Sequence, residues 1–87
     1  MSWQIILSRQ AVKDAQKIKH ANLKRQAEFL LKTLKEDPFM NPPPYEKLRG
    51  DLKGFFSRRI NIQHRLVYSV DKTNRVVHIL RMWTHYE

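Results

Sequence analysis

The sequence has no cysteine among its 87 residues and only two glycines. The lack of cysteine excludes a disulfide scaffold, thiolate-bound zinc, an iron–sulfur cluster and a thiol nucleophile. Long apolar runs are also missing, since the run near the start covers only Ile5–Leu7. A signal peptide or a membrane span needs a much longer run, so we expect a cytoplasmic protein with no membrane partner.

Acidic residues are few, and the charge of the chain is strongly positive. Seventeen Lys and Arg stand against 8 Asp and Glu, which gives a formal net charge of +9. Hydrophobic residues make up 41% of the chain, enough for a packed core rather than a disordered polycation. The length predicts a single domain over residues 1–87. Such a domain attracts polyanions, and nucleic acid is the partner class that we expect first.

The first half of the chain predicts one short strand followed by two helices. A strand is expected at residues 3–7, and Ser8 is a suitable N-cap for the helix after it. Asn22 tolerates a left-handed backbone and can separate the two helices, and the second should stop at Asp37-Pro38. Apolar positions recur at helical spacing in both segments: Val12, Ala15 and Ile18, then Leu23, Ala27, Leu30, Leu31 and Leu34.

The second half predicts an antiparallel sheet. All four prolines lie in residues 38–50, and we expect this stiff segment to hold Glu46 in a constrained position. Three β-prone stretches follow, at residues 55–61, 64–70 and 75–83, and their short links favour an antiparallel meander. With the two N-terminal helices covering one face of this sheet, the predicted fold is α+β.

Two arginines of the predicted hairpin are candidates for binding an anion. With a three-residue loop at 61–63, Arg59 lies directly across from Arg65, and the two guanidinium groups repel unless an anion sits between them. A two-residue loop would separate them, so the pairing depends on the strand register. The default for arginines on these strands, Arg58 included, is a solvated side chain, so both interpretations stay open at this point.

The chain also holds the residue types that metal-free RNA cleavage requires. That reaction needs a base for the ribose 2′-OH, cations for the phosphate charge and an acid for the leaving oxygen. Glu46 can act as the base, Arg59 and Arg65 as the cations, and His85 as the acid. These residues are far apart in the sequence, so the fold must bring them together. The histidines show no metal-ligand spacing, and we expect neither a metal nor another cofactor.

Two motifs carry a family resemblance. They read EKLRGDLKGFFSRRI at residues 46–60 and HRLVY at residues 64–68, and His85-Tyr86 lies at the carboxyl end. These motifs closely resemble the Txe/YoeB family of toxins, within the RelE/ParE superfamily of bacterial type II toxin–antitoxin systems. The terminal pair matches the family's His-Tyr. The resemblance covers the whole chain in length and element order, and it implies a small RelE-like fold.

The resemblance implies an endoribonuclease that depends on the ribosome and cuts the mRNA codon in the A site without a metal. Glu46 resembles the family's general base for the 2′-OH, and Arg65 resembles the cation that stabilises the phosphorane. His85 resembles the general acid that protonates the 5′-oxygen. Tyr86 would help to position the substrate, and Arg59 would add positive charge.

Two positions depart from the family pattern. Arg49 stands where the family commonly has Lys, which keeps the charge but changes its geometry, and we assign it to binding of substrate or ribosomal RNA. Glu87 follows the tyrosine at which the family often ends. The resemblance also implies two protein partners, a co-encoded acidic antitoxin similar to YefM or Axe and a second copy of the chain.

Two other functions remain open from the sequence. One is a ParE-like toxin that inhibits DNA gyrase, against which the set of Glu46, Arg65 and His85 argues, because binding gyrase requires no acid and base. The other is a non-catalytic basic RNA-binding module, which is the default if these residues do not converge in the fold.

Overall fold

Five strands and two helices make up most of residues 2–83, the part of the chain that the computed structural model describes. Strand β1 (Gln4–Leu7) is followed by helices α1 (Arg9–His20) and α2 (Lys24–Glu36). After the proline-rich segment come β2 (Glu46–Lys47), a 3₁₀ turn (Gly50–Leu52), β3 (Phe56–Arg59), β4 (Arg65–Asp71) and β5 (Val76–Arg81). Neither helix is both long and apolar enough to cross a membrane.

The local signals for helix boundaries are confirmed. The side chain of Ser8 accepts a hydrogen bond of 3.0 Å from the backbone N–H of Ala11, as an N-cap does. Asn22 adopts a left-handed conformation with φ 60° between the two helices. Helix α2 ends at Glu36, directly before Asp37-Pro38.

The fold class is confirmed as α+β, with both helices packed on a sheet of strand order β1-β5-β4-β3-β2. The sheet differs from the prediction in one respect. Strands β2 to β5 are antiparallel, whereas β1 pairs with β5 in parallel, so the sheet is mixed. Short connections make β3, β4 and β5 antiparallel, but no hairpin joins β1 to β5, and the long chain between them permits the parallel direction.

The buried face of α1 also differs from the prediction. Val12 is 52% exposed, and the buried residues of this helix are Ala11, Asp14 and Ile18. These positions follow helical spacing, but one of them is a carboxylate, so an apolar stripe does not reveal the buried face of this helix. The core between helices and sheet is otherwise apolar and includes Ile18, Ala27, Leu30, Leu34, Leu66, Tyr68, Val77 and Ile79.

Strand β5 is shorter than the predicted stretch at residues 75–83, because it ends at Arg81. The backbone N–H groups of Met82 and Trp83 donate to a carboxylate oxygen of Asp14 at 3.0 and 3.2 Å. The backbone N–H groups just beyond β5 therefore donate to a side chain of α1 and not to a neighbouring strand.

The proline-rich segment is organised around Arg58, which is not the solvated arginine that the sequence predicts. Its side chain is 1% exposed. The guanidinium donates to the carbonyl oxygens of Pro38, Met40 and Pro43 and to the hydroxyl of Tyr68. The ring of Tyr45 lies 5.0 Å from its central carbon. Arg58 thus fixes the segment that leads into Glu46.

Candidate active site

The hairpin of β3 and β4 places two arginines directly opposite each other. Arg59 pairs with Arg65 in the strand register. The backbone N–H of Ile60 donates to the carbonyl of His64 at 2.9 Å, which closes a loop of three residues at 61–63. The register with a three-residue loop is therefore confirmed, and two positive side chains begin from facing positions of the sheet.

The edge strand β2 brings a carboxylate to these arginines. Glu46 pairs with Ser57 of β3, and its Oε2 lies 3.4 Å from Nη1 of Arg65. The same nitrogen of Arg65 lies 3.4 Å from the hydroxyl oxygen of Ser57, to which it donates. Together with Pro44 and Arg59, these three residues line a cavity of about 250 Å³, which we call the Glu46–Arg65 cavity.

The Glu46–Arg65 cavity combines an accessible carboxylate with two cations. The side chain of Glu46 is 65% exposed and that of Arg65 is 19% exposed. A partly exposed ion pair of this kind contributes only about 0–1 kcal/mol, so an incoming anion can compete for the guanidinium. A phosphate bound by Arg59 and Arg65 would then lie beside a carboxylate that is free to accept a proton.

The structure places Arg49 in a neighbouring, larger cavity of about 760 Å³. Glu46 lines both cavities, and the larger one also has two lysines in its wall, Lys47 and Lys53. Arg49 is thus next to the Glu46–Arg65 cavity without lining it. The other predicted site residues, His85 and Tyr86, lie outside the described residues, as does Glu87.

The sequence did not predict a role for Ser57, which lines the Glu46–Arg65 cavity, or for Asp14, whose carboxylate binds the end of β5 instead. Ser57 could have been found, because strand alternation already places its hydroxyl on the face of Arg59. Asp14 had a weaker signal, since it is the only acidic residue before Glu28 and lies at helical spacing from Ala11 and Ile18. An acidic residue on the buried face of a basic helix calls for a partner elsewhere in the fold.

Asp14 finds its partners at the end of β5. Burial raises the pKa of its carboxyl, but hydrogen bonds from Arg81, from the N–H groups of Met82 and Trp83, and from Gln10 outweigh burial and lower it below the usual value of 3.8. A depressed pKa in the folded state stabilises the fold above the pKa of the unfolded chain, and that stabilisation is lost as the pH falls through the folded pKa.

This linkage gives a prediction for acid denaturation. In Asp14→Asn the pH-dependent contribution is absent, so the wild type should lose more of its free energy of unfolding than the variant between pH 5 and pH 2. Urea denaturation at a series of pH values measures the difference. Parallel pH profiles for the two proteins would show that the Asp14 carboxyl titrates alike in the folded and unfolded chains.

The sequence of this chain matches a family model described as "YoeB-like toxin of bacterial type II toxin-antitoxin system" over residues 8–86. This match covers most of the chain. The chain belongs to the YoeB-like toxin family. The resemblance seen in the two motifs is therefore confirmed, and with it the assignment to the toxins of type II toxin–antitoxin systems.

Curated relatives and solved structures agree with the family. The chain is 37% identical over 65 residues to toxin YoeB of Synechocystis. The matched segment covers 75% of this chain and 73% of that toxin. With toxin YoeB of Escherichia coli K12 it shares 46% identity over 41 residues, 47% of this chain and 49% of the relative.

The fold superposes on family members over nearly their whole length. A "YoeB/ParE toxin" of Agrobacterium tumefaciens gives a TM-score of 0.85 at 26% identity, covering 95% of this chain and 99% of that one. A chain of the YoeB–YefM heterotetrameric complex of Staphylococcus aureus gives a TM-score of 0.80 at 31% identity. That match covers 99% of this chain and 100% of that one.

Proposed function

We propose that this YoeB-like toxin is a ribosome-dependent mRNA endonuclease that cuts the codon in the ribosomal A site. The observation that supports this most strongly is the Glu46–Arg65 cavity, where a carboxylate lies 3.4 Å from a guanidinium and Arg59 lines the same wall. A base beside two cations suits a phosphodiester whose own 2′-OH is the nucleophile. RNA carries this hydroxyl and DNA does not.

The proposed reaction moves two protons and exchanges one P–O bond. Glu46 takes the proton of the 2′-OH as the 2′-oxygen attacks the adjacent phosphorus, and Arg65 stabilises the charge of the pentacoordinate phosphorane. The bond to the 5′-oxygen breaks, and His85 donates a proton to that oxygen. The products are a 2′,3′-cyclic phosphate, which water can open to a 3′-phosphate, and a 5′-hydroxyl.

The remaining predicted site residues would bind the substrate. Arg59 supplies a second cation on the wall of the Glu46–Arg65 cavity, and Arg49 offers a planar guanidinium in the larger cavity next to it. Tyr86 would position the nucleotide. The proposed unit of activity is a single domain over residues 1–87, acting on translating ribosomes in the bacterial cytoplasm.

We also propose that the protein is neutralised by an acidic antitoxin of the YefM or Axe type and forms a homodimer. The relative from S. aureus has been solved as a complex of YoeB with YefM and as a YoeB dimer. A toxin with a net charge of +9 offers long-range attraction to an acidic partner, as it does to mRNA and ribosomal RNA.

Replacing Glu46 by glutamine tests the proposed base. The amide keeps the shape but cannot take up the proton, so we expect cleavage to fall by about 10²–10⁴-fold and growth arrest after induction to be relieved. His85→Gln should do the same. The measurements are growth after induction in bacteria and copurification with the antitoxin, which both variants should retain.

The matched control is Glu36→Gln, which removes an exposed carboxylate at the end of α2 and should stay fully toxic. Persistent toxicity of both Glu46→Gln and His85→Gln would argue against the nuclease. In that case inhibition of DNA gyrase and non-catalytic binding of RNA become the functions to test.

A further inference from the structure

The larger cavity that adjoins the Glu46–Arg65 cavity combines positive charge with an aromatic side chain. The residues that give it this character are Phe55 and three exposed basic residues, Lys47, Arg49 and Lys53. We call it the Arg49–Phe55 cavity. Its volume is about 760 Å³, against about 250 Å³ for the Glu46–Arg65 cavity. This size and this charge suit an anionic ligand that is larger than a single phosphate group.

The loop between β2 and β3 forms the wall of the Arg49–Phe55 cavity and has a defined shape. The backbone N–H of Leu48 donates to the carbonyl of Phe55 at 2.9 Å, and the 3₁₀ turn lies between these two residues. Gly50 and Gly54 have φ values of 67° and 94°, a conformation that favours glycine. A Cβ at either glycine would meet no atom within 4 Å. Both glycines therefore border open space within the cavity lining.

Phe55 has an aromatic ring that the core does not use for ring packing. Its neighbour Phe56 contacts the rings of Phe39, Tyr45 and Tyr68, with centroids 5.6 to 5.8 Å apart. Within residues 2–83 no such ring contact involves Phe55, which is only half-buried. Proteins that bind single-stranded RNA stack its bases on aromatic side chains. The ring of Phe55 is thus available to a nucleobase.

The position of Glu46 gives the direction in which RNA would cross the two cavities, because Glu46 lines both of them. In RNA the reacting 2′-OH belongs to the ribose whose 3′-oxygen carries the scissile phosphate. With that phosphate at Arg59 and Arg65 and the 2′-OH at Glu46, this ribose lies between the cavities. Its base and its 5′-phosphate then have room on the side of the Arg49–Phe55 cavity.

We propose that the Arg49–Phe55 cavity binds the nucleotide on the 5′ side of the cut, with its base on Phe55 and its 5′-phosphate among the three basic residues. This proposal rests on the proposed function, because that reaction defines which phosphate is cut. The RNA runs from the Arg49–Phe55 cavity in the 3′ direction to the Glu46–Arg65 cavity. A nucleoside 3′-phosphate, the end that cleavage and ring opening leave on this side, spans both cavities.

An NMR titration of the ¹⁵N-labelled protein with adenosine 3′-monophosphate tests the proposal without ribosomes and without cleavage. The chain has only two glycines, so the amide signals of Gly50 and Gly54 report on the Arg49–Phe55 cavity, and that of Ser57 reports on the Glu46–Arg65 cavity. We expect 3′-AMP to shift all three signals. The isomer 5′-AMP has the same base and charge but cannot span the cavities in this order, so it should bind at least about fivefold more weakly.

Phe55→Leu tests the role of the aromatic ring. Leucine keeps an apolar side chain but has no ring face, so we expect the Kd for 3′-AMP to rise about fivefold or more. Phe29→Leu is the matched control, because Phe29 is 59% exposed on α2 and lines neither cavity. It should keep the Kd of the wild type.

Adenosine 3′,5′-bisphosphate tests the role of the basic residues. Its additional 5′-phosphate should make it bind about two- to fivefold more tightly than 3′-AMP, the range expected for an exposed ionic contact. Lys53→Gln should reduce this gain. Lys32→Gln removes an exposed lysine of α2 instead and should leave the gain unchanged.

Three outcomes would overturn the proposal: glycine signals that 3′-AMP leaves unshifted, equal affinity for 3′-AMP and 5′-AMP, and an unchanged Kd in Phe55→Leu. If Phe55→Leu does not fold, the comparison of the two isomers on the wild type decides. Primer extension with ribosomes separates the proposal from the proposed function. Cleavage with unshifted glycine signals would overturn the nucleotide site alone, whereas shifted signals without any cleavage would support the site and contradict the reaction.

Discussion

Replacing Arg58 by methionine is expected to lower the free energy of unfolding by about 3 kcal/mol or more, the largest effect on stability that we predict. The guanidinium is buried and donates four hydrogen bonds, three of them to the backbone carbonyls of Pro38, Met40 and Pro43. Each buried acceptor that loses its donor costs about 1–3 kcal/mol. In a domain of this size the melting midpoint should fall by about 12 °C or more.

Arg59→Met is the matched control for Arg58→Met, because it changes the neighbouring residue of the same strand, whose side chain is exposed. Its effect on stability should stay within about 0.5 kcal/mol. Thermal unfolding followed by circular dichroism measures both variants. If the two midpoints agreed within about 4 °C, the hydrogen bonds of Arg58 would not be what holds the proline-rich segment in place.

Arg65→Ala is expected to remove nearly all cleavage while leaving the fold intact, an effect on activity comparable to that of Glu46→Gln. Removing a group that stabilises transition-state charge costs about 10²–10³-fold in kcat. The contacts of Arg65 to Glu46 and Ser57 are both long, at 3.4 Å, and a partly exposed ion pair adds little stability. We therefore expect the free energy of unfolding to change by less than about 1 kcal/mol.

Arg65→Lys is the informative companion of Arg65→Ala. The ammonium keeps the charge but loses the planar fork that binds two phosphate oxygens at once, so activity should be intermediate between the wild type and Arg65→Ala. Primer extension gives the activities and thermal unfolding gives the stabilities. A midpoint for Arg65→Ala lower by more than about 8 °C, or roughly 1–2 kcal/mol, would make Arg65 a structural residue instead.

Much of the fold could be predicted because the signals are local. Ser8, Asn22 and Asp37-Pro38 each act on the backbone within a few residues, and each marks a helix boundary in the structure. The pairing of Arg59 with Arg65 required only the length of one hairpin loop. The motifs at residues 46–60 and 64–68 identified the family, because most of the residues that are specific to the family lie in this one segment.

The rest depends on contacts between distant parts of the sequence. Asp14 and Arg81 are 67 positions apart, so nothing local shows that a buried carboxylate would cap β5 and end it at Arg81. Arg58 is similar, because strand alternation gives its face but not the carbonyl oxygens of residues 38–43 that surround its guanidinium. A buried polar side chain of this kind is stabilised by hydrogen-bond partners from distant parts of the sequence. Its own position in a helix or strand does not show which residues those partners are.

The central claim, that Glu46 and Arg65 cut mRNA in the ribosomal A site, is tested most directly by mapping cleavage sites. Primer extension on a translated mRNA, with purified protein and with or without ribosomes, gives the sites. We predict cuts at A-site codons only when ribosomes are present, and none with Glu46→Gln or His85→Gln. Absence of cleavage in both conditions, with protein synthesis unaffected, would contradict the claim, and so would equal cleavage by the wild type and Glu46→Gln.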